Sequence, residues 1–228
     1  VSNTLTIPTF IIDTTSPSIS SIIPDWGDSL NATEVGTDQR EVKVVTSGIE
    51  DGQTLTIELN SRSYNGIINS NNVTITISGS DLQSLIDGQT YTIKANVSDK
   101  AGNAAVEKSI DFSVDTTSPT LTNVTPIGTT SDNTPSYTFY TTEDGTISSN
   151  LSFTSTTDAK KGDNTITFDE LLDGEYKDKT ITVTDSAGNV SNTLTIPTFI
   201  IDTTSPTLTN VTPIGTTSDN TPSYTFYT

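Results

Sequence analysis

The sequence predicts an all-β protein built from tandem antiparallel β-sandwich domains. Three observations support this prediction: short segments in which apolar and polar residues alternate, turns rich in Gly, Asn and Asp, and long repeats within the chain. Alternation places every second side chain on one face of a strand, so one face is buried and the other is wet. Repeats of about 90 to 100 residues made of such strands are typical of β-sandwiches.

The alternating segments carry Thr, Ser or charged residues between their apolar positions. Thr suits the exposed positions because its branched Cβ favours an extended backbone. The helical pattern at Ser80–Ile86 is long enough for about one or two turns. The predicted strands include Thr54–Leu59, Val73–Ile77, Tyr91–Val97, Ser136–Thr141 and Thr180–Thr184.

Exact repeats predict the domain organisation. The linker Asp-Thr-Thr-Ser-Pro begins at Asp13, Asp115 and Asp202, at intervals of 102 and 87 residues. Residues 1–17 recur unchanged at 190–206, and residues 115–141 recur unchanged at 202–228, which indicates a tandem array. We predict the last strand of a truncated repeat at 1–13, a 102-residue repeat at 14–115, an 87-residue repeat at 116–202 and the first strands of a truncated repeat at 203–228.

The composition excludes several classes of function. The chain has 10 Lys and Arg against 28 Asp and Glu, a formal net charge of −18, and neither His nor Cys. With so few basic residues we expect no nucleic-acid binding and no direct membrane contact. Without His and Cys, this sequence forms no disulfide, no zinc-thiolate site and no His- or Cys-based catalytic centre. Catalysis by carboxylate pairs, as in glycoside hydrolysis, stays open, but nothing in the sequence places such a pair in a cleft, so we expect no enzyme. The acidic surface is suited to solubility or to binding cations.

An Asp-Gly turn precedes a Tyr at the same place in both complete repeats. Asp87 and Gly88 are followed by Tyr91, and Asp173 and Gly174 by Tyr176. A Tyr that opens the penultimate strand indicates either a tyrosine corner, with its hydroxyl bonded to the backbone just upstream, or a plain core residue.

A second motif, Asp-x-Ala-Gly-Asn, follows in both repeats. It spans Asp99–Asn103 and Asp185–Asn189, and each copy begins 12 residues after the Asp of the Asp-Gly turn. Its Gly can adopt a positive φ, so the motif predicts a hairpin turn between the last two strands. We call it the FG turn.

These motifs resemble the bacterial immunoglobulin-like repeats of giant, type-I-secreted surface adhesins. The linkers, the FG turns and Glu-Asp-Gly at Glu50–Gly52 and Glu143–Gly145 carry the resemblance. Leu30–Gly36 and Ile49–Leu55 add a similarity of the longer repeat to the extender repeats of these adhesins. The resemblance implies immunoglobulin-like sandwiches in an extended array, secreted and held at the bacterial cell surface, with several calcium ions at the domain junctions.

The function that the resemblance implies is structural. The chain would be an extender segment whose partners are the neighbouring repeats, held rigid by calcium so that it projects a distal ligand-binding domain. Two alternatives remain open: the sandwiches bind a carbohydrate or protein on an exposed strand face, or the chain assembles into filaments by strand exchange at Thr4–Ile12 and Thr207–Thr228.

Sandwich topology places the candidate calcium ligands at the pole where each linker enters. There the Glu-Asp-Gly turn between strands B and C meets the FG turn. Carboxylates that meet in this way suit Ca²⁺, because this ion takes 6–8 oxygen ligands. In the alternative interpretation, these Asp residues only satisfy N–H groups of their own turns. The first site is predicted at Asp13, Glu50, Asp51 and Asp99, the second at Asp115, Glu143, Asp144 and Asp185, and a third begins at Asp202; Asn103 and Asn189 add a carbonyl oxygen or fix the turn.

An acidic cluster also lies in the connection between strands A and B, at the opposite pole and near Asp115. It is interpreted either as a solvated loop or as a second calcium site. Trp26 in this loop either stacks on a sugar or covers the edge of the core or a domain junction. The members of the cluster are Asp25, Asp28, Asn31, Glu34 and Asp38.

Overall fold

The computed structural model describes residues 8–36, 38–210 and 214–227. Contacts divide it into two compact units: the first comprises the chain up to Ser118 together with residues 185–190, and the second comprises residues 119–184 and those from 191 onward. The regular secondary structure of the described residues is β-strand except for one short helix, so the all-β class is confirmed. The described residues contain no helix with the length and apolar character of a membrane span. The repeat boundaries at 13, 115 and 202 stay a prediction.

The first unit is a sandwich of two sheets. Its elements are β1 Ser18–Pro24, β2 Ser29–Asn31, β3 Arg40–Ser47, β4 Thr54–Leu59, β5 Arg62–Ile67, β6 Asn72–Ile77, α1 Gly79–Leu82, β7 Thr90–Asn96 and β8 Lys108–Asp115. One sheet has the order β1-β3-β6, and the other has the order β2-β8-β7-β4-β5, in which β2 pairs parallel with β8. The helix is shorter than the predicted Ser80–Ile86 because the chain after Leu82 tightens into turns with i→i−3 bonds.

Alternation buries one face of each sheet in a shared core. Val42 and Val44 of β3 and Ile57 of β4 are fully buried in the same apolar cluster. Trp26 also belongs to this core: it is 5% exposed and meets Phe112 edge to face, with ring centroids 5.3 Å apart. Trp26 therefore covers the core and presents no ring face for a sugar.

The second unit has its own core and a similar order of strands. Its strands are β9 Leu121–Thr125, β10 Thr129–Thr130, β11 Ser136–Thr141, β12 Gly145–Ser149, β13 Asp158–Ala159, β14 Gly162–Thr167, β15 Gly174–Tyr176, β16 Thr180–Thr184, β17 Leu194–Thr195 and β18 Phe199–Ile201. They form sheets in the orders β14-β11-β9, β13-β12-β16-β17 and β10-β18-β15. Asp178, at φ 57°, separates β15 from β16, and Pro197, which has no N–H to donate, separates β17 from β18.

Both units contain a tyrosine corner. The hydroxyl of Tyr91 accepts a hydrogen bond from the Ile86 N–H at 2.8 Å, and the hydroxyl of Tyr176 donates to the Leu172 carbonyl at 2.9 Å. These bonds to backbone just upstream confirm the tyrosine-corner interpretation over that of a plain core residue.

The exact repeats fold alike where their strand partners are present. The last two strands, β19 Thr209–Asn210 and β20 Phe226–Tyr227, pair as Thr209 with Tyr227, the register that Thr122 and Tyr140 have in the intact repeat. Residues 1–7 lie outside the described residues, and 8–13 form no strand, so the strand predicted at Thr4–Ile12 is not seen in the described part. A strand needs a neighbour for its N–H and C=O groups, and none pairs with these residues.

Candidate functional site

The FG turns have the same geometry in both repeats. Gly102 and Gly188 each have a φ of +93°, a region that favours Gly. The Asp99 N–H donates to the Asn103 carbonyl at 3.0 Å, and the Asp185 N–H donates to the Asn189 carbonyl at the same distance. The predicted hairpin turns are therefore confirmed.

In the first FG turn, the Asn103 side chain links the turn to the linker. Its Nδ2 donates to Asp99 Oδ2 at 2.9 Å and to the carbonyl of Asp13 at 3.1 Å. Asp99 is only 4% exposed, and the Asn103 side-chain bond is the main cause that holds its pKa below the usual range. The carboxylate of Asp99 is thus held ionised by its own turn.

The second FG turn repeats these bonds on the next linker. Asn189 Nδ2 donates to Asp185 Oδ2 at 2.9 Å and to the Asp115 carbonyl at 2.8 Å. Asn189 Oδ1 also accepts a hydrogen bond from the Ala32 N–H at 2.8 Å, and Asn31 Nδ2 donates to the Ala187 carbonyl at 3.0 Å. Residues 185–190 accordingly belong to the first compact unit.

Glu50 and Asp13 come together beside the first FG turn. Both line a surface cavity of about 400 Å³ with Lys100 and Ala101. Glu50 Oε2 accepts a hydrogen bond from the Lys100 N–H at 3.1 Å, and Asp13 Oδ1 accepts one from the Thr15 N–H at 2.9 Å. The structure thus brings Asp13, Glu50 and Asp99 to one end of the unit.

The second acidic residue of each Glu-Asp-Gly turn bonds to a different turn. Asp51 Oδ1 accepts from the Ser70 N–H at 2.6 Å, and Asp144 Oδ1 accepts from the Lys161 N–H at 2.7 Å. Asp144 also pairs with Lys160 Nζ at 3.0 Å on the exposed surface. These bonds satisfy backbone N–H groups of separate turns, which neither interpretation predicted, and a metal-binding role for the two residues stays a prediction.

Two further predicted ligands, Glu143 and Asp202, take part in hydrogen bonds with residues two positions away. Glu143 lies in the second unit, where its carbonyl accepts a hydrogen bond from Thr141 Oγ1 at 3.0 Å. Asp202 Oδ1 accepts from the Thr204 N–H at 3.1 Å, the same local turn that Asp13 makes with Thr15. Their metal-binding roles stay predictions.

Local bonds also occupy the acidic A–B connection. Asn31 Oδ1 accepts from the Glu34 N–H at 3.0 Å, and Glu34 Oε2 accepts from the Asn31 N–H at 2.9 Å. Asp25 Oδ2 accepts from the Glu41 N–H at 3.1 Å. The carbonyl of Asp28 accepts from Ser113, and Asp38 is exposed. These bonds favour the solvated loop, which lies beside Asp115 because β2 pairs with the end of β8.

The carboxylate of Asp115 is weakly hydrogen-bonded. Its Oδ1 accepts a long bond from the Thr117 N–H, at 3.3 Å, among the described residues. Burial raises the pKa of its carboxyl, and the nearby charges of Asp185 and Asp87 raise it further. Nevertheless, the described residues contain no group of three Asp or Glu side chains placed to hold a metal ion.

Sequence reasoning missed the role of the Asp-Gly turns. Asp87 Oδ1 accepts from the Thr116 N–H at 2.6 Å, and its Oδ2 accepts from Thr117 Oγ1 at 2.7 Å. Asp173 accepts in the same way from the Thr203 N–H at 2.9 Å and from Thr204 Oγ1 at 2.8 Å. The signal was present, since Asp-Gly and Thr-Thr both recur, but nothing in the sequence joins residues about 30 positions apart.

Asp115→Asn tests the electrostatics of this site. In an acid whose folded pKa is raised, ionisation opposes folding, so the wild type loses stability as pH rises through the range from 3.8 upward. The amide keeps the acceptor for Thr117 and removes the charge, so at pH 7 in EGTA we expect a higher Tm, by at most about 2 °C because solvent screens the half-buried group. The gain should vanish near pH 3.

The matched control is Asp111→Asn, an exposed carboxylate on the same strand that accepts from Thr92 Oγ1. This control variant should leave the difference between the Tm at pH 7 and the Tm at pH 3 as it is in the wild type. A lower Tm for Asp115→Asn at pH 7 would show that the charge is stabilised and contradict the described geometry.

No family model matches the chain, and no curated protein does. Among solved structures, fibronectin(III)-like modules of Clostridium thermocellum CbhA match at 12% identity, over 81% of this chain and 93% of that chain, with a TM-score of 0.52. A Ca²⁺-stabilised adhesin that helps an Antarctic bacterium bind ice matches at 21% identity, over 82% of this chain and 48% of that chain, with a TM-score of 0.41.

A bacterial immunoglobulin-like domain of the M. primoryensis ice-binding adhesin matches at 26% identity, over 44% of this chain and 96% of that domain, with a TM-score of 0.33. The match to the fibronectin(III)-like modules supports a β-sandwich fold of the immunoglobulin and fibronectin type. Bacterial immunoglobulin-like adhesin domains are among the solved structures to which the chain is similar.

Proposed function

We propose that this chain is a structural extender segment of a large extracellular bacterial adhesin, which projects a distal ligand-binding domain from the cell surface. One observation carries the proposal: the FG turns of both repeats hold the preceding linker by the same bond, from Asn103 to Asp13 and from Asn189 to Asp115. A module whose recurring polar contacts serve its linkers, with apolar residues in two cores, is suited to holding tandem repeats in order.

We further propose that calcium strengthens these junctions. Asp115 supports this, because its half-buried carboxylate has one long hydrogen bond among the described residues and stands near Asp185 and Asp87. The residues fit calcium in part: carboxylate and carbonyl oxygens are its preferred donors, yet the side chains as described do not converge on one point. Asp115 and Asp185 would hold the ion at one linker, and Asp13 and Glu50 at the other.

When bound, the ion would supply positive charge where like charges now repel one another. The chain's own residues do the positioning: the FG turn holds Asp99 ionised and Asp185 in place. The Asn amide of each FG turn holds the linker carbonyl. We expect an affinity on the order of 10⁻⁴–10⁻³ M, as in other extracellular calcium modules.

Small-angle scattering and thermal melting in calcium and in EGTA test this proposal. We expect about 5 mM calcium to raise the Tm by roughly 2–5 °C and to increase the maximum particle dimension, because ligand that binds only the folded state stabilises it. Asp115→Asn should lose most of the gain, and Asp111→Asn should keep it.

Melting and scattering that are indifferent to calcium would contradict the calcium part of the proposal. The same scattering data give the molecular mass, and a mass that rises with protein concentration would instead support filament assembly.

A further inference from the structure

The Asp-Gly turns are built to accept a Thr-Thr segment. In each, one carboxylate oxygen takes a backbone N–H of the linker and the other takes a Thr hydroxyl: Asp87 binds Thr116 and Thr117, and Asp173 binds Thr203 and Thr204. Bonds in which the acceptor is ionised are shorter and stronger than neutral ones.

The pKa shifts of these carboxylates agree with their role as hydrogen-bond acceptors. The linker bonds lower the pKa of Asp87, chiefly through the Thr116 N–H, and the pKa of Asp173, chiefly through the Thr203 hydroxyl. The Gly88 N–H also donates to the Val114 carbonyl at 2.8 Å, which ties the first Asp-Gly turn to the strand that leads into the linker.

The Asn of the FG turn contacts the linker from the other side. Its side-chain NH₂ offers two donors and lies between two oxygens, the carboxylate of the FG Asp and the carbonyl of the linker Asp. Asn103 and Asn189 make this pair of bonds at 2.8–3.1 Å in both repeats. The amide thus joins two oxygen acceptors that would otherwise face each other unpaired.

The linker itself has the same local turn in all three copies. The carboxylate of its Asp accepts from the N–H of the second Thr, at 2.9 Å in Thr15, 3.3 Å in Thr117 and 3.1 Å in Thr204. The linker at 115–117 makes both contacts at once, with its Asp115 carbonyl bonded to Asn189 and its Thr116 N–H and Thr117 hydroxyl bonded to Asp87.

We propose that Asp-Thr-Thr is a ligand segment built into the chain, and that the Asp-Gly turn and the FG-turn Asn are its two binding sites, which fasten the linker through protein hydrogen bonds alone. The inference deepens the proposed extender function, because it names the residues that hold a linker in order. It does not depend on calcium, since every contact joins two groups of the chain.

Amide hydrogen exchange of the whole ¹⁵N-labelled chain in EGTA tests the inference. Thr14 is an internal reference. It is equivalent to Thr116 in the linker sequence, but no Asp-Gly turn is described before its linker. We expect the Thr116 and Thr203 amides to exchange at least about tenfold more slowly than Thr14. Asp87→Ala should remove the protection of Thr116 and leave that of Thr203, and Asp173→Ala should do the reverse.

Asp132→Ala is the matched control. Asp132 Oδ1 accepts from the Thr134 N–H at 2.9 Å, the same type of bond within an ordinary loop, so its loss should leave Thr116 and Thr203 protected. Asp87→Asn keeps an acceptor and should keep part of the protection. Trp26 fluorescence reports whether the first unit stays folded in each variant.

Thr116 exchanging as fast as Thr14 in EGTA would overturn the inference, as would protection that appears only with calcium. Protection that persists in Asp87→Ala would overturn it too. Failure of the calcium proposal is seen separately, as scattering and melting curves that calcium leaves unchanged while Thr116 stays protected.

Discussion

We expect Phe199→Ala to lower the free energy of unfolding of the second unit by about 3–5 kcal/mol, and Phe10→Ala to change stability by less than about 0.5 kcal/mol. Both residues occupy the same position in one 17-residue sequence that occurs twice. Phe199 is 1% exposed, and Phe10 is 73% exposed. Phe199 also stacks on Tyr176 and Phe168, with ring centroids 5.0 and 6.1 Å apart, so truncation leaves a cavity that these rings line.

Urea unfolding followed by circular dichroism, with amide exchange at Ile181, measures the second unit. Trp26 lies in the core of the first unit, so its fluorescence transition should not move in Phe199→Ala. Equal losses for Phe199→Ala and Phe10→Ala would show that Phe10 is buried as well, against the described exposure.

We expect Asn189→Ala to destabilise the first unit by about 2–3 kcal/mol, and Asn103→Ala by about 1 kcal/mol. Asn189 is 4% exposed, and its side chain pairs the Asp115 carbonyl, the Asp185 carboxylate and the Ala32 N–H. Removing it takes one hydrogen bond from each of three polar groups, although Asp185 keeps those from the backbone N–H groups of residues 187 and 189. Asn103 is half-buried, and its side chain makes two bonds, both as donor.

Trp26 fluorescence in urea follows the unit that contains both residues. Asn189→Asp separates the contributions, because the new carboxylate still accepts from Ala32 but cannot donate to Asp115 or Asp185. We expect it to be at least as destabilising as the alanine variant, since it adds a charge beside Asp185. Losses of the same size in Asn103→Ala and Asn189→Ala would contradict the additional bond to Ala32.

Periodicity and turn chemistry predicted the local structure well. The bounds predicted for Thr54–Leu59, Ser136–Thr141 and Thr180–Thr184 are those of β4, β11 and β16. The tyrosine corners and FG turns were also predictable, because each depends on residues within a few positions of one another. Side-chain alternation and a glycine at positive φ are local properties, and the sequence carries them directly.

The polar contacts around the linkers were less predictable. Asp87 and Asp173 reach Thr residues about 30 positions away, while Asp51 and Asp144 bond to the N–H groups of separate turns. A carboxylate can accept hydrogen bonds from a turn or from a linker, or it can bind an ion. The sequence around it does not say which of these partners lies nearby, because the packing of the strands and turns decides that.

The repeated segments show where local information ends. Residues 10 and 199 have identical neighbours in sequence, and so do residues 139 and 226, yet Phe199 and Phe139 are buried whereas Phe10 and Phe226 are mostly exposed. Pattern and register belong to the segment itself, as the shared pairing of Thr122 with Tyr140 and Thr209 with Tyr227 demonstrates. Burial belongs to the assembled sandwich, because an apolar face leaves water only when the opposite sheet covers it.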